Sequence, residues 1–178
     1  MRAHGHCGLE VAVSELDALL QAQVEALANA LRARQWMLAT AESCTGGLIS
    51  AACTSLAGSS NWFERGFVTY SNAAKSELLG VSEALIQQQG AVSEEVARAM
   101  AEGALTRSTA RVSVAVTGVA GPGGGSAAKP VGTVWLAVSV LGGSTTAQLM
   151  QLDGDRAAVR RQTLVGALTA VLQAASER

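Results

Sequence analysis

The chain has 178 residues, 49% of them hydrophobic and 15% charged, with a formal net charge of −1. That length and apolar share suffice for one well-buried core, while near-neutral charge without a basic run argues against a nucleic-acid surface, and no apolar run approaches the roughly 20 residues that cross a bilayer. "MRAHGHCGLEVAVSEL" carries neither the apolar centre nor the cleavage site of a signal peptide, so residues 1–13 are expected to be a disordered tail on a cytoplasmic protein and residues 14–178 a single domain.

Ser14, with Glu15 and Asp17 behind it, reads as the start of an amphipathic helix in which Leu16, Leu19, Leu20, Val24 and Leu27 recur at helical spacing to about Arg34. "WMLATA" (Trp36–Ala41) is a short buried strand. "TAESCTGG" (Thr40–Gly47) follows as a strand-to-helix turn, with a helix of small residues from Thr45 to Ser55. "WFERGFVTYS" (Trp62–Ser71) alternates as a strand does. Helices then start at Asn72 (capped by Ser71 or Asn72 itself), at Ser82 and at Ser93, the last running to about Arg107.

"ARVSVAVTG" (Ala110–Gly118) is a β-branched strand that enters the glycine loop "GVAGPGGGSAAKP". Val131–Val140 is the next strand, "LGGS" a hairpin turn, Thr145–Leu152 its antiparallel return, and a final amphipathic helix opens near Asp155. Strands interleaved with helices imply an α/β fold, a single-domain layered α/β/α sandwich with a mixed β-sheet.

Three cysteines, Cys7, Cys44 and Cys53, show no paired spacing, which fits a reducing compartment. "HGHC" at His4–Cys7 is a short terminal tract with no second ligand cluster, so no metal is expected. It also holds the only two histidines. A Ser43 or Cys44 nucleophile therefore has no histidine in the body of the chain to take its proton, and lysine is the remaining base. Lys75 and Lys129 are the only lysines among thirteen basic residues, and lysine, unlike arginine, can lose its proton when buried.

In "TYSNAAK", Lys75 falls in the first or second turn of a helix, where the helix dipole and burial both favour the neutral amine. Tyr70, the sole tyrosine, is placed to bond or relay to that amine. Equally, an isolated Lys75 can be a solvated surface charge and Tyr70 a strand-end aromatic. "TGVAGPGGGSAAKP" fits neither the P-loop nor the dinucleotide fingerprint; it is either a flexible turn or, after Thr117, a nest of amides for an anionic oxygen. Arg156 and Arg160, four apart, are either solvated or a phosphate grip at a helix start.

Taken together, "TAESCTGGLIS", "AGSSNWFERGFVTYSNAAKSELLGV", "GAVSEEVARAMAEGAL", "TGVAGPGGG", "KPVGTVWLAV" and "GDRAAVRRQ" closely resemble the CinA C-terminal-domain family, from about Ser14 to the C-terminus. Its enzymatic members are nicotinamide-nucleotide amidohydrolases, and the resemblance implies an α/β enzyme that converts nicotinamide mononucleotide to nicotinic acid mononucleotide and ammonia without metal or other cofactor. It places the family serine on Ser43, the lysine on Lys75, the tyrosine on Tyr70, the threonine of T-G-x-A-G-P on Thr117 and the arginine of G-D-R on Arg156. Val119 stands where isoleucine is usual.

Many relatives carry a further N-terminal domain, so this chain reads as the stand-alone form. The mechanism expected from these residues has Lys75 deprotonating Ser43 with help from Tyr70. Amides of Thr45, Gly46 and Gly47 meet the oxyanion, and Gly118, Gly121 and Arg156 hold ribose and phosphate. The rivals are an amidase for another amide and a non-catalytic nucleotide-binding module. An apolar, alanine-rich chain is further expected to form a homodimer or higher homo-oligomer.

Overall fold

Two strand segments buried along nearly their whole length, "LATAE" and "VSVAVTG", form the middle of a sheet, where both faces are covered. The computed structural model describes residues 7–177, with side chains from residue 17 to residue 177. In chain order the elements are α1 (Cys7–Ala33), β1 (Leu38–Glu42), α2 (Leu48–Thr54), a 3₁₀ turn (Ser59–Asn61), β2 (Phe63–Val68), α3 (Asn72–Leu79), α4 (Glu83–Gln89), α5 (Glu94–Thr106), β3 (Val112–Gly118), β4 (Thr133–Val140), β5 (Thr145–Gln151) and α6 (Arg156–Ser176).

The sheet order is β2-β1-β3-β4-β5. β1 is parallel to both β2 and β3, whereas β3–β4 and β4–β5 are antiparallel, so the sheet is mixed. Branched residues Val112, Val114, Val116, Leu136 and Val138 face α1, α2 and α6 in one core. The opposite face is a row of small residues in direct register, Ala41–Ala115–Ala137–Ala147. That low row lets α5 lie close, with Val96, Ala97, Met100, Ala101 and Ala104 filling the second core beside α3 and α4. An α/β/α sandwich results, as expected.

Side-chain caps begin four helices where the sequence places them: Ser71, Ser82, Ser93 and Asp155 accept from Ala74, Leu85, Val96 and Ala158 main-chain N–H groups. Several boundaries differ, with β2 ending at Val68 and not at Ser71 and β4 starting at Thr133 and not at Val131. α1 covers residues 7–13, expected as tail, and Ser14 lies inside it, because "CGLEVAV" holds no proline to stop a helix; residues 1–6 lie outside the described residues. β1 starts at Leu38, since Trp36 N–H still donates to Leu31 O and Gln35 turns with φ 55°. α2 starts at Leu48 and not at Thr45, because Gly46 and Gly47 take φ 60° and 95° and hold residues 43–47 as a turn.

No helix of the described residues is long and apolar enough to cross a membrane.

Candidate active site

β1, β2 and β3 are parallel neighbours, so their C-terminal ends open on one side of the sheet, where α/β proteins place ligands. Ser43 follows β1, Thr69 and Tyr70 follow β2, and Thr117 and Gly118 end β3. A cavity of about 210 Å³ opens between them, lined among others by Ser43, Tyr70, Lys75, Thr117, Gly118 and Arg156. The chain thus gathers at one point residues far apart in sequence.

Lys75 Nζ lies 3.0 Å from Ser43 Oγ, 2.9 Å from Thr69 O and 3.5 Å from Tyr70 O. A neutral amine has two N–H donors and one lone pair, which matches two carbonyl acceptors and one hydroxyl that can donate. Lys75 is 1% exposed, and burial holds its amine below the ordinary lysine value of 10.5, opposed by the nearby Cys44 thiol. Among the described residues it makes no ion pair with a carboxylate. The solvated-surface alternative for Lys75 is therefore set aside.

Cys44 is buried against Ala120, Val134 and Val159. Burial pushes its thiol up to about 11, offset in part by the Cys44 and Thr45 N–H groups and by Lys75. It is a packing residue and not a thiolate.

Glu42, fully buried, explains the turn. Its Oε2 accepts from Thr45 Oγ1 at 2.7 Å and from the N–H groups of Gly47 and Ile49 at 3.0 Å, while Oε1 accepts from Ser50 N–H at 2.8 Å and Ser50 Oγ at 2.7 Å. The carboxylate thereby takes up the orphan donors at the start of α2 and fixes the residue next to Ser43.

This geometry revises the oxyanion site. Gly47 N–H is held by Glu42, and Gly46 N–H donates to Ser43 O at 3.1 Å. Thr45 is wholly buried, with its hydroxyl on Glu42. Cys44 and Thr45 N–H, by contrast, donate to no oxygen among the described residues and face only the Cys44 sulfur.

Tyr70 also differs from expectation. Its phenol is 61% exposed, and its hydroxyl accepts from Arg156 Nη2 at 3.1 Å, away from the amine. Only its main-chain carbonyl faces Lys75, because β2 ends at Val68 and the side chain swings outward to the cavity mouth.

Arg156 Nη1 donates to Gly121 O at 2.9 Å, so the glycine loop is tied to the start of α6. Gly121 misses the site cavity and lines an adjoining one of about 610 Å³ with Pro122, Val131, Gly154, Arg156 and Arg160. Thr117 Oγ1 donates to Ala91 O at 2.8 Å, which fastens the cavity wall. Gly118 is required by packing, since a Cβ there would come within 2.6 Å of Val134. Ala91, Val92 and Ala120 complete the wall; as bland small residues they give no sequence signal. Asn72, two residues after Tyr70, also lines the cavity, and its place beside the Tyr70–Lys75 pair was the available clue.

Among the described residues, no three His, Cys, Asp or Glu side chains come together as a metal site requires.

Residues 20–175 match the model of the CinA C-terminal domain. The chain belongs to that family. It is 56% identical over 144 residues to the nicotinamide-nucleotide amidohydrolase PncC of Enterobacter agglomerans, covering 81% of this chain and 88% of that protein. It is likewise 56% identical over 151 residues to the PncC of Pseudomonas putida, covering 85% and 94%. Among solved structures, the competence/damage inducible protein CihA of Agrobacterium tumefaciens superposes with a TM-score of 0.85 at 45% identity, over 89% of this chain and 96% of the other. Family membership and fold thus agree with the resemblance of the motifs.

Proposed function

We propose that this family member is an amidohydrolase that converts the carboxamide of nicotinamide mononucleotide to the carboxylate and ammonia through a Ser43–Lys75 pair. The observation that carries the proposal is the 3.0 Å approach of a buried lysine amine, without an ion pair among the described residues, to a serine hydroxyl that lines a cavity. The amidohydrolase names of the close relatives support the same chemistry.

In this mechanism Lys75 takes the Ser43 proton as Oγ attacks the carboxamide carbon. The carbonyl π electrons move to oxygen, and the resulting oxyanion is met by the N–H group of Cys44, a residue that lines the cavity. When the tetrahedral intermediate collapses, the C–N bond breaks, and Lys75 returns the proton so that nitrogen leaves as ammonia. An ester on Ser43 remains. Water, deprotonated by the same amine, attacks that ester, the acyl C–Oγ bond breaks, the ammonium returns the proton to Ser43 Oγ, and the carboxylate is released.

Tyr70 serves as the exposed wall at the mouth, where its ring face suits the cationic pyridinium of the substrate. Arg156 stands between the site cavity and the adjoining one, and the sugar phosphate occupies the latter.

Ammonia release from nicotinamide mononucleotide, free nicotinamide and glutamine tests the proposal. A nucleotide amidohydrolase releases ammonia from the first far faster than from the others, and Ser43→Ala lowers that rate by at least about 10³-fold. Release from glutamine alone would identify a different amidase, and tight nucleotide binding without turnover would identify a binding module.

Of the expected homodimer or higher homo-oligomer, the homodimer is kept as part of this proposal. β5 is an edge strand whose "TTAQLMQ" carries no charge, with Leu149 47% exposed, an edge that invites pairing with a second copy. Light scattering should give twice the 18.1 kDa of one chain.

A further inference from the structure

We infer that Arg160, in the second turn of α6, is a positioning residue that holds the nucleophile turn in its reactive form; the inference rests on the amidohydrolase reading of the site. Arg160 Nη2 donates to Thr45 O at 2.7 Å, across 115 residues of chain. Thr45 O and Gly46 N–H belong to one peptide plane, and Gly46 N–H donates to Ser43 O at 3.1 Å. Ser43 O and Cys44 N–H belong to the next plane in this chain of contacts. Because a trans peptide points its C=O and N–H in opposite directions, fixing Ser43 O also fixes where Cys44 N–H aims. Arg160 thus sets, through two linked planes, the direction of an oxyanion donor beside Ser43. Each hydrogen bond in such a chain polarises the next.

The turn needs this anchor. Gly46 and Gly47 both have positive φ (60° and 95°), and glycines there permit the Thr45–Gly46 peptide to rotate at little steric cost. Glu42 fixes the Thr45 side chain and the Gly47 amide but not the Thr45 carbonyl. Leu48 N–H reaches that carbonyl only at 3.4 Å, and Arg160 supplies its short contact at 2.7 Å. It does so at a cost, because its Nε is buried and has no acceptor among the described residues. A guanidinium placed only for solubility would not sit so.

The competing role is that of a phosphate ligand, since Arg160 also lines the 610 Å³ cavity. Steady-state kinetics of Arg160→Met and Arg160→Lys on nicotinamide mononucleotide and on its phosphate-free riboside separate the two. Misplacement of a reacting group by about 1 Å lowers turnover about 10²-fold. The expected result is a kcat reduced by about that factor in Arg160→Met on both substrates with little change in KM, and an intermediate kcat in Arg160→Lys, which keeps one donor. Phosphonylation of Ser43 by a fluorophosphonate, followed by intact mass, should slow in parallel.

A KM raised for the phosphorylated substrate alone, with kcat retained, would overturn the inference, as would an unchanged phosphonylation rate. If Arg160→Met fails to fold, the same kcat-against-KM split in Arg160→Lys decides. If the unsubstituted chain releases no ammonia from either substrate, the amidohydrolase reading fails, and phosphonylation still tests the anchor by itself.

Discussion

Replacing Glu42 by Gln keeps shape and volume but exchanges one acceptor oxygen for an NH₂ group. If the amide nitrogen takes the Oε2 side, it confronts the N–H groups of Gly47 and Ile49, both 3.0 Å away. If it takes the Oε1 side, it confronts Ser50 N–H at 2.8 Å, while Ser50 Oγ can rotate to accept. The second arrangement is the cheaper, and it still leaves one buried N–H without an acceptor, at about 1–3 kcal/mol. The remaining bonds lose charge assistance, which brings the total to about 2–5 kcal/mol. At about 2–4 °C per kcal/mol for a chain of this size, Tm should fall by about 4–20 °C. Thermal unfolding followed by circular dichroism measures this, and ammonia release below the transition should fall too, because the turn bearing Ser43 loosens. A Glu42→Gln chain with parental Tm and kcat would refute the assignment of Glu42 as the clamp of the turn.

Lys75→Met should be inactive yet equal or exceed the parent in stability near neutral pH. The sign follows from the depressed amine: the unfolded chain binds the proton more readily than the folded one, so the buried lysine lowers stability at low pH, and this penalty lifts as pH rises towards 10.5. The stability advantage of Lys75→Met over the parent should accordingly shrink as pH rises; an advantage that grows with pH would contradict it. Gly103→Ala should destabilise by about 1–3 kcal/mol, because the new Cβ would lie 2.2 Å from Leu79 O where α5 crosses α3; denaturant unfolding checks it. Cys44 and Cys53, with thiols pushed up to about 11 and about 12, should resist iodoacetamide at neutral pH in the folded chain and react after unfolding, as peptide mapping would record.

Much of the fold is legible in the sequence because its signals are local. β1 announces itself as a short buried run and β3 as a β-branched one, and Ser71, Ser82, Ser93 and Asp155 mark helix starts by chemistry that acts within three residues. The start of α2 is misjudged because "TGG" resembles a helix entrance, whereas tandem left-handed glycines delay the helix until Leu48.

In the site, the scarcity of histidine and lysine points to Ser43 and Lys75, whose side chains the structure brings to hydrogen-bonding distance. What stays hidden is orientation. Nothing local says that Tyr70 turns its phenol to Arg156, that Glu42 occupies Gly47 N–H, or that Arg160 reaches Thr45 across the domain. Those facts depend on how α6 and the β1 turn are brought together by packing.

Titration of the two lysine amines tests the central claim most directly. The chain holds only Lys75 and Lys129, so lysine labelled with ¹⁵N at Nζ gives two signals, assignable with Lys129→Arg. The account predicts that the Lys75 signal changes from ammonium to amine at a midpoint below 10.5, and that this midpoint coincides with the acidic limb of kcat/KM for ammonia release. A Lys75 amine that stays protonated up to 10.5 or beyond while the chain turns over at neutral pH would contradict it.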